Sequence, residues 1–344
     1  MGEVGQPIWR NRCFCFMKIV CAGWHDGYME EGAMTNGALS RSEGHAETVA
    51  LLALLRMAPR GVNWGDIAGD VRLAGSAVDV LAKTRESQGL LFPDPNLDRA
   101  VAQAEAELSE WDAQGLNLIT VLSNSYPARL AGVFDCPPIL FTRGAVVRGD
   151  AGMSVVGSRK CSQEGEAMAR AAAELLIERG LTVIAGLAEG IDTAAHKRAL
   201  DLGARTVAVI GTGITKYFPA ANHALQDEIA AKGLVLSQFY PDQPPTKKTF
   251  PVRNATMSGY GMATIVVEAG EQSGSRIQAR QAAHHGRPVI LSHKVVADTS
   301  WGKDMAGDPW VYVAASRRDL AKAVDQILED SEGNLLSKLG LMPV

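Results

Sequence analysis

Four stretches of this chain place glycines and hydroxyl residues where an apolar run ends. They are GSRKCSQEG (157–165), AGLAEGID (185–192), GTGITKYFP (211–219) and EAGEQSGSR (268–276). Glycine lets a backbone approach a ligand closely, and the free N–H groups of a helix start attract anions, so the chemistry these turns suit is phosphate binding. Glycines also end strands in any α/β protein; one such turn carries no weight, but four in succession do. The first offers Gly157, Ser158 and Arg159, whose guanidinium fork matches phosphate oxygens. The second sets Gly186 and Gly190 around Glu189, an anion at odds with a phosphate site. Asp192 follows as the expected N-cap, and His196 shares its helix face, expected to be packed rather than catalytic. The third holds Gly211 and Gly213 without the further glycine of a dinucleotide fingerprint, which weakens a dehydrogenase. The fourth supplies Ser273, Gly274 and Ser275 at an expected helix start, with Arg276 beside them.

Between these turns, QPPTKKTFPVRNATMSGYG (243–261) reads as a loop or lid from its prolines and glycines, and carries Lys247, Lys248, Phe250, Arg253, Asn254 and Tyr260. Cations for phosphates and rings for bases are what a single-stranded nucleic-acid track needs; a solvated loop with one buried ring has the same composition. No H-E-x-x-H or G-x-S-x-G occurs, and Cys161 has no evident His partner, so a binding protein is expected rather than an enzyme. The C-x-C of Cys13 and Cys15 lacks a second pair at zinc-site spacing, and neither metal nor cofactor is expected. The net charge of −4 supplies no general attraction to nucleic acid, so any contact must use a local patch. No apolar run approaches the roughly 18 residues of a membrane span; a cytoplasmic protein with reduced thiols and no membrane partner is expected.

The elements that must position these turns follow from periodicity. AETVALLALLRM (46–57), WGDIAGDVRLAGSAVDVLAKTRES (64–87) and LDRAVAQAEAELSEWDAQG (97–115, stopped by Gly115) are helix-compatible, with the linker LLFPDPN before the last. After Gly115 nine strand-length apolar runs appear: LNLITVL, PPILFTRG, MSVVGS, LTVIAG, TVAVIG, GLVLSQF, ATIVVEAG, RPVILS and WVYVAA. Helix-compatible segments fall between most of the later ones, which means βαβ units and a mostly parallel, Rossmann-like α/β sheet with helices on both faces. The expected organisation is a disordered arm over residues 1–39, a small all-helical unit over 40–112, the sheet domain over 113–330 and a tail over 331–344.

Taken together, VVGSR, GLAEGIDTAAH, AVIGTGITKYFP, FPVRN, VVEAGEQSGS and HGRPV, with the lead-in YPARLAGVFDCPPILFTRG, closely resemble the DprA (Smf) family of bacterial DNA-processing proteins in order and spacing over about residues 116–293. The resemblance implies a SAM-like helical domain before the Rossmann-like one. It also implies a homodimer that binds and protects single-stranded DNA without strong sequence preference and loads the RecA recombinase, with no enzymatic activity. The winged-helix tail of some members is not expected here. Carried over by motif, the implied strand-end pocket comprises Gly157, Ser158, Arg159, Gly186, Gly190, Gly211, Gly213, Arg253 and Asn254, closed by Ser273, Gly274 and Ser275. Arg159, Arg253 and Arg276 would grip phosphates, and Phe250 or Tyr260 would stack on bases. Family members commonly carry Lys or Arg where this chain has Glu189, Arg where it has Ala255, and often a basic residue where it has Ala220, with Lys216 and Arg276 as nearby gains. Each lost phosphate contact lowers the salt slope by about one unit. The departure at Glu189 leaves a second reading, a sensor of a free nucleotide or nucleotide-derived signal, since a carboxylate suits a ribose hydroxyl or base amine and repels a polyanion. A cytokinin-activating type of nucleotide hydrolase is disfavoured, because EAGEQSGSRIQA stands where that group reads PGGxGTxxE.

Overall fold

The nine apolar runs all form strands. They are β1 (Asn117–Thr120), β2 (Ile139–Gly144), β3 (Gly152–Val156), β4 (Thr182–Ala185), β5 (Thr206–Val209), β6 (Leu234–Ser237), β7 (Thr264–Val266), β8 (Val289–Ser292) and β9 (Val311–Ala314). In the computed structural model, which describes residues 37–59, 62–87 and 95–338, they make one sheet in the order β1-β2-β6-β5-β4-β3-β7-β8-β9. From β6 to β9 every pairing is parallel, while β1–β2 and β2–β6 are antiparallel. Strand order reverses between β3 and β7, so the topological switch point lies there.

Period-2 alternation divides the strand residues between two faces. Met153, Val155, Val183, Ile265 and Ile290 join one core cluster, whereas Val156, Ile184, Val266 and Leu291 join the other. The first face is covered by α6 (Gln163–Glu178), α7 (Ile191–Asp201) and α13 (Arg317–Lys338). The second is covered by α8 (His223–Lys232), α9 (Thr249–Tyr260) and α10 (Gly274–His284). Two six-residue helices, α11 (His293–Asp298) and α12 (Ser300–Met305), lead into β9, and the short α5 (Ala128–Ala131) lies between β1 and β2.

Ahead of the sheet stand α1 (Gly37–Met57), α2 (Trp64–Ala74), α3 (Ala77–Ser87) and α4 (Pro95–Ala113). The run read as one stretch over 64–87 is two helices, because Gly75 takes φ 73° and ends α2. These helices share a core with the sheet: Leu51, Leu52, Val71 and Leu108 belong to the same cluster as Phe141 and Leu236. The contact is aromatic at its centre, with Trp111 edge-on to Phe141 at 5.0 Å and Tyr240 5.8 Å from Trp111.

Three expectations are corrected. Residues 243–261 are not a lid, since α9 occupies most of them. Pro251 sits in that helix's first turn, where its missing N–H costs no hydrogen bond. Helix α1 begins at Gly37, inside the stretch read as an arm, and α13 runs on to Lys338, inside the stretch read as a tail, because no proline interrupts the chain before residue 343. The remainder of the arm, with Cys13, Cys15 and Cys21, lies outside the described residues. Among the described residues no helix is long and apolar enough to cross a membrane.

Candidate nucleic-acid interface

Because β3, β4, β5 and β6 run parallel, their exits lie along one edge of the sheet. Close backbone packing draws the first three together with the start of α9. A side chain at Gly157 would strike Ile191 at the head of α7, 2.5 Å away. Gly190, at φ 78°, lies against the Ser158 and Arg159 carbonyls, a conformation and a clearance only glycine meets without strain. Gly186 faces the Arg253 guanidinium, and a side chain at Gly211 would meet the Phe250 ring at 2.7 Å. Gly213 lies against Tyr240 and Pro241 beyond β6.

Arg159 is exposed, with its guanidinium carbon 5.4 Å from the centre of the half-buried Phe250 ring. Phe218 flanks the same ring at 5.6 Å. Lys247 and Lys248 are exposed just before α9, and Glu189 is exposed in the turn that packs on Arg159. The arrangement can hold a phosphate at Arg159 and a flat group near Phe250, with a carboxylate close by.

Arg253 does something different from gripping a phosphate. It is 6% exposed, and its Nη1 donates to the carbonyls of Gly186 and Val209, the latter at 2.7 Å. Asn254 Oδ1 accepts from Arg253 Nε at 3.0 Å. Arg253 therefore ties the exits of β4 and β5 to α9 from within. Its counter-charge is Asp192, which lies inside α7 rather than capping it; Gly190 takes the cap position. Asp192 Oδ2 instead reaches back to accept from the Gly186 and Ala188 amides at 2.9 and 3.3 Å. Burial pushes the Asp192 carboxyl up to about 6, against the opposing pull of Arg253 and those amides. Burial likewise pushes the Arg253 guanidinium down to about 10, partly offset by Asp192. Leu187 holds φ 60° in this turn, its carbonyl accepting from Asn222 Nδ2 at 2.9 Å.

His196 is buried, bonded through Nδ1 to Thr206 Oγ1 at 2.7 Å, and burial pushes it down to about 3, so it stays neutral. Tyr260 is also buried, its hydroxyl donating to Asp150 at 2.8 Å, and has no face for a base. Ser273 accepts from the Ser275 amide as N-cap of α10, with Gly274 exposed and Arg276 half-buried beside it. No contact described for these four residues joins them to Arg159 or Phe250.

Glu268 is a residue the sequence reading missed. At the switch point, where the N-terminus of α6 would receive a dinucleotide phosphate, its carboxylate already accepts from Ser162 N–H at 3.0 Å and Ser162 Oγ at 2.5 Å. Lys294 pairs with it at 2.9 Å. Burial alone would raise the Glu268 carboxyl, but the Ser162 hydroxyl and Lys294 hold it below the usual carboxylate range. An acidic strand exit paired with a serine N-cap was the available signal. Elsewhere Ser258, His285 and Asp135 stand in a hydrogen-bonded line of 2.9 and 2.7 Å, but Ser258 is 2% exposed, so the line braces α9 against α10.

A family model described as DNA recombination-mediator protein A matches residues 117–314. The DNA processing protein DprA of Streptococcus pneumoniae is 36% identical over 232 residues, 67% of this chain and 78% of that one. Protein Smf of Synechocystis is 30% identical over 242 residues, and this chain spans 57% of its length. The X-ray structure of the Streptococcus protein superposes with a TM-score of 0.59 at 29% identity, over 83% of this chain and 97% of that one. DNA processing protein A of Helicobacter pylori, solved for its single-stranded DNA binding mode, shares the fold at a TM-score of 0.55 and 21% identity, over 61% of this chain and 96% of that one. The chain belongs to the DNA recombination-mediator protein A family, the DprA/Smf proteins.

Proposed function

We propose that this chain binds single-stranded DNA along the carboxyl ends of β3, β4 and β5, protects it, and as a homodimer loads RecA onto it. The observation that carries the reading is Arg159, an exposed guanidinium held beside the Phe250 ring at a row of glycine-lined strand exits. A phosphate and its neighbouring base need that pair of contacts, and neither contact selects a sequence. Lys247 and Lys248 add cations on the same side of Phe250 in the chain. Arg253, Asn254 and the glycines act as positioning groups that hold Phe250 and the exits in place. The free-nucleotide reading gains nothing from the switch point, because Glu268 already fills the α6 N-terminus. For a homodimer, β9 ends the sheet among the described residues and offers an edge with Trp310 and Val313 exposed. Sedimentation of the full chain as a dimer, and faster RecA filament growth on strands it has coated, are the outcomes expected for those two parts.

Fluorescence anisotropy with labelled oligo-dT tests the core of the reading. Arg159→Ala should weaken binding and lower the salt slope by about one unit. Negligible affinity of the unaltered protein at low salt would end the proposal, and a thermal shift with mononucleotides alone would replace it with the sensor.

A further inference from the structure

The row of strand exits does not stop at β5. At the exit of β6, Gln238, Phe239 and Tyr240 open into a groove of about 640 Å³ whose facing wall is Val62 to Gly65 at the start of α2. Lys248, Pro251 and Val252 of the α9 start form its rim, and Phe250 does not line it. Its size falls within the roughly 300–1,000 Å³ of pockets that enclose small organic groups. Trp64 and Tyr240 both line the groove, edge-on to each other with ring centres 5.7 Å apart, and Trp64 is the ring left for a base. Tyr240 is itself fixed by Trp111 and by the Arg56 guanidinium 5.2 Å from its ring. The amide side chains of Asn63 and Gln243 stand at the same groove. Its one carboxylate, Asp135, is engaged on both oxygens, by His285 at 2.7 Å and Gln281 at 3.0 Å.

We propose that this groove is a second nucleobase subsite, taking unstacked bases of the same single strand that Arg159 and Phe250 hold. The inference rests on the function proposed above and extends it by one strand of the sheet. The Trp64 ring, the Asn63 Nδ2 and Gln243 Oε1 atoms and a cation at the rim match a base and its phosphate, since every base has a stacking face and hydrogen-bonding edges. Continuity favours nucleic acid as the occupant. The β5 exit packs directly on the β6 exit, with Gly213 N–H donating to Gln243 O at 2.9 Å and Ser237 Oγ to Thr212 O at 2.6 Å. Lys248 lines the groove and, with Lys247, is exposed just ahead of Phe250 in the chain, so a strand running from one subsite to the other would have cations for its phosphates.

The test compares oligo-dT of about 6 and about 16 nucleotides, near the two ends of the roughly 4–16 nucleotide range of single-strand site sizes, on the full chain and three variants. Arg159→Ala should weaken both lengths. Trp64→Ala and Val252→Glu should weaken only the longer one, by about 5- to 150-fold, the range for one lost stacked base. Val252 is 45% exposed, so its variant keeps the test valid if Trp64→Ala fails to fold. As a direct readout, a long oligonucleotide carrying 5-iodouracil near one end should photocrosslink to the peptide holding Trp64 or Tyr240. If the unaltered protein binds the short oligonucleotide, but its preference for the longer one survives both groove variants and no crosslink forms there, the subsite is overturned and the Arg159 reading stands. If neither length binds, both fall together.

Discussion

Asp192 shows how a residue's neighbours set its chemistry. Burial pushes its carboxyl up to about 6 in the folded protein, against about 3.9 for an aspartate in an unfolded chain. Between those values the folded state holds a proton that the unfolded state has released, so this group's contribution to stability is full below about pH 4 and is lost as pH rises through about 6. The loss should amount to roughly 3 kcal/mol. Urea unfolding measures it as a stability difference between the unaltered protein and Asp192→Asn that shifts by that amount across the window; a difference independent of pH would refute it. Glu189, three residues earlier, is exposed, and under the proposed function it would act on the ligand. Glu189→Lys should tighten oligo-dT binding and steepen its salt slope by about one unit, as one more cation meets one more phosphate. An unchanged slope would place residue 189 outside the path of the strand.

At the scale of elements, helix ends are where this fold departs from a nucleotide-binding one. The first turn of α6 is satisfied by Ser162 as N-cap and by Glu268 arriving from β7. Gly165 leaves room for that carboxylate, since a side chain there would meet Glu268 Oε2 at 2.7 Å. Glu268→Ala should therefore lower stability by about 1–3 kcal/mol, because the helix N-terminus and Lys294 both lose their acceptor. Chemical denaturation measures this, and a change below a few tenths of a kcal/mol would mean that water replaces the carboxylate. Helix α9 is the second departure. Its start positions Phe250, and its interior places Arg253 under two strand exits, so one helix serves both surface and core.

Within the unit that begins at Gly44, the N-terminal helices and the sheet share one core built outward from the aromatic contacts. Trp111 is 7% exposed, edge-on to Phe141 and close to Tyr240, which also walls the groove. Trp111→Ala should lower stability by about 3–5 kcal/mol. Circular dichroism and intrinsic fluorescence should still report one coincident unfolding transition, because the shared core couples both parts. Two separated transitions would show that residues 44–113 unfold independently of the sheet.

The strands were legible because runs such as TVAVIG and RPVILS are short, β-branched and bounded by glycine or proline, and burial on both faces of a parallel sheet demands that composition. The glycine exits were legible for a local reason too, since a backbone that turns sharply at a strand end needs residues without a Cβ. Helix α9 was hidden because Pro251 and Gly261, read as loop signals, are its first-turn and terminating residues. The direction of Arg253 was hidden more deeply. A guanidinium in that motif serves a phosphate or a carbonyl equally well, and the choice depends on the Gly186 and Val209 carbonyls, 67 and 44 residues away in the chain. Glu268 meets Ser162 across 106 residues. Local pattern thus settled which segments become strands and which turns carry glycine. Only tertiary structure decided which charges face the solvent and which are consumed inside, because satisfying a buried charge depends on partners that the chain brings together only when it folds.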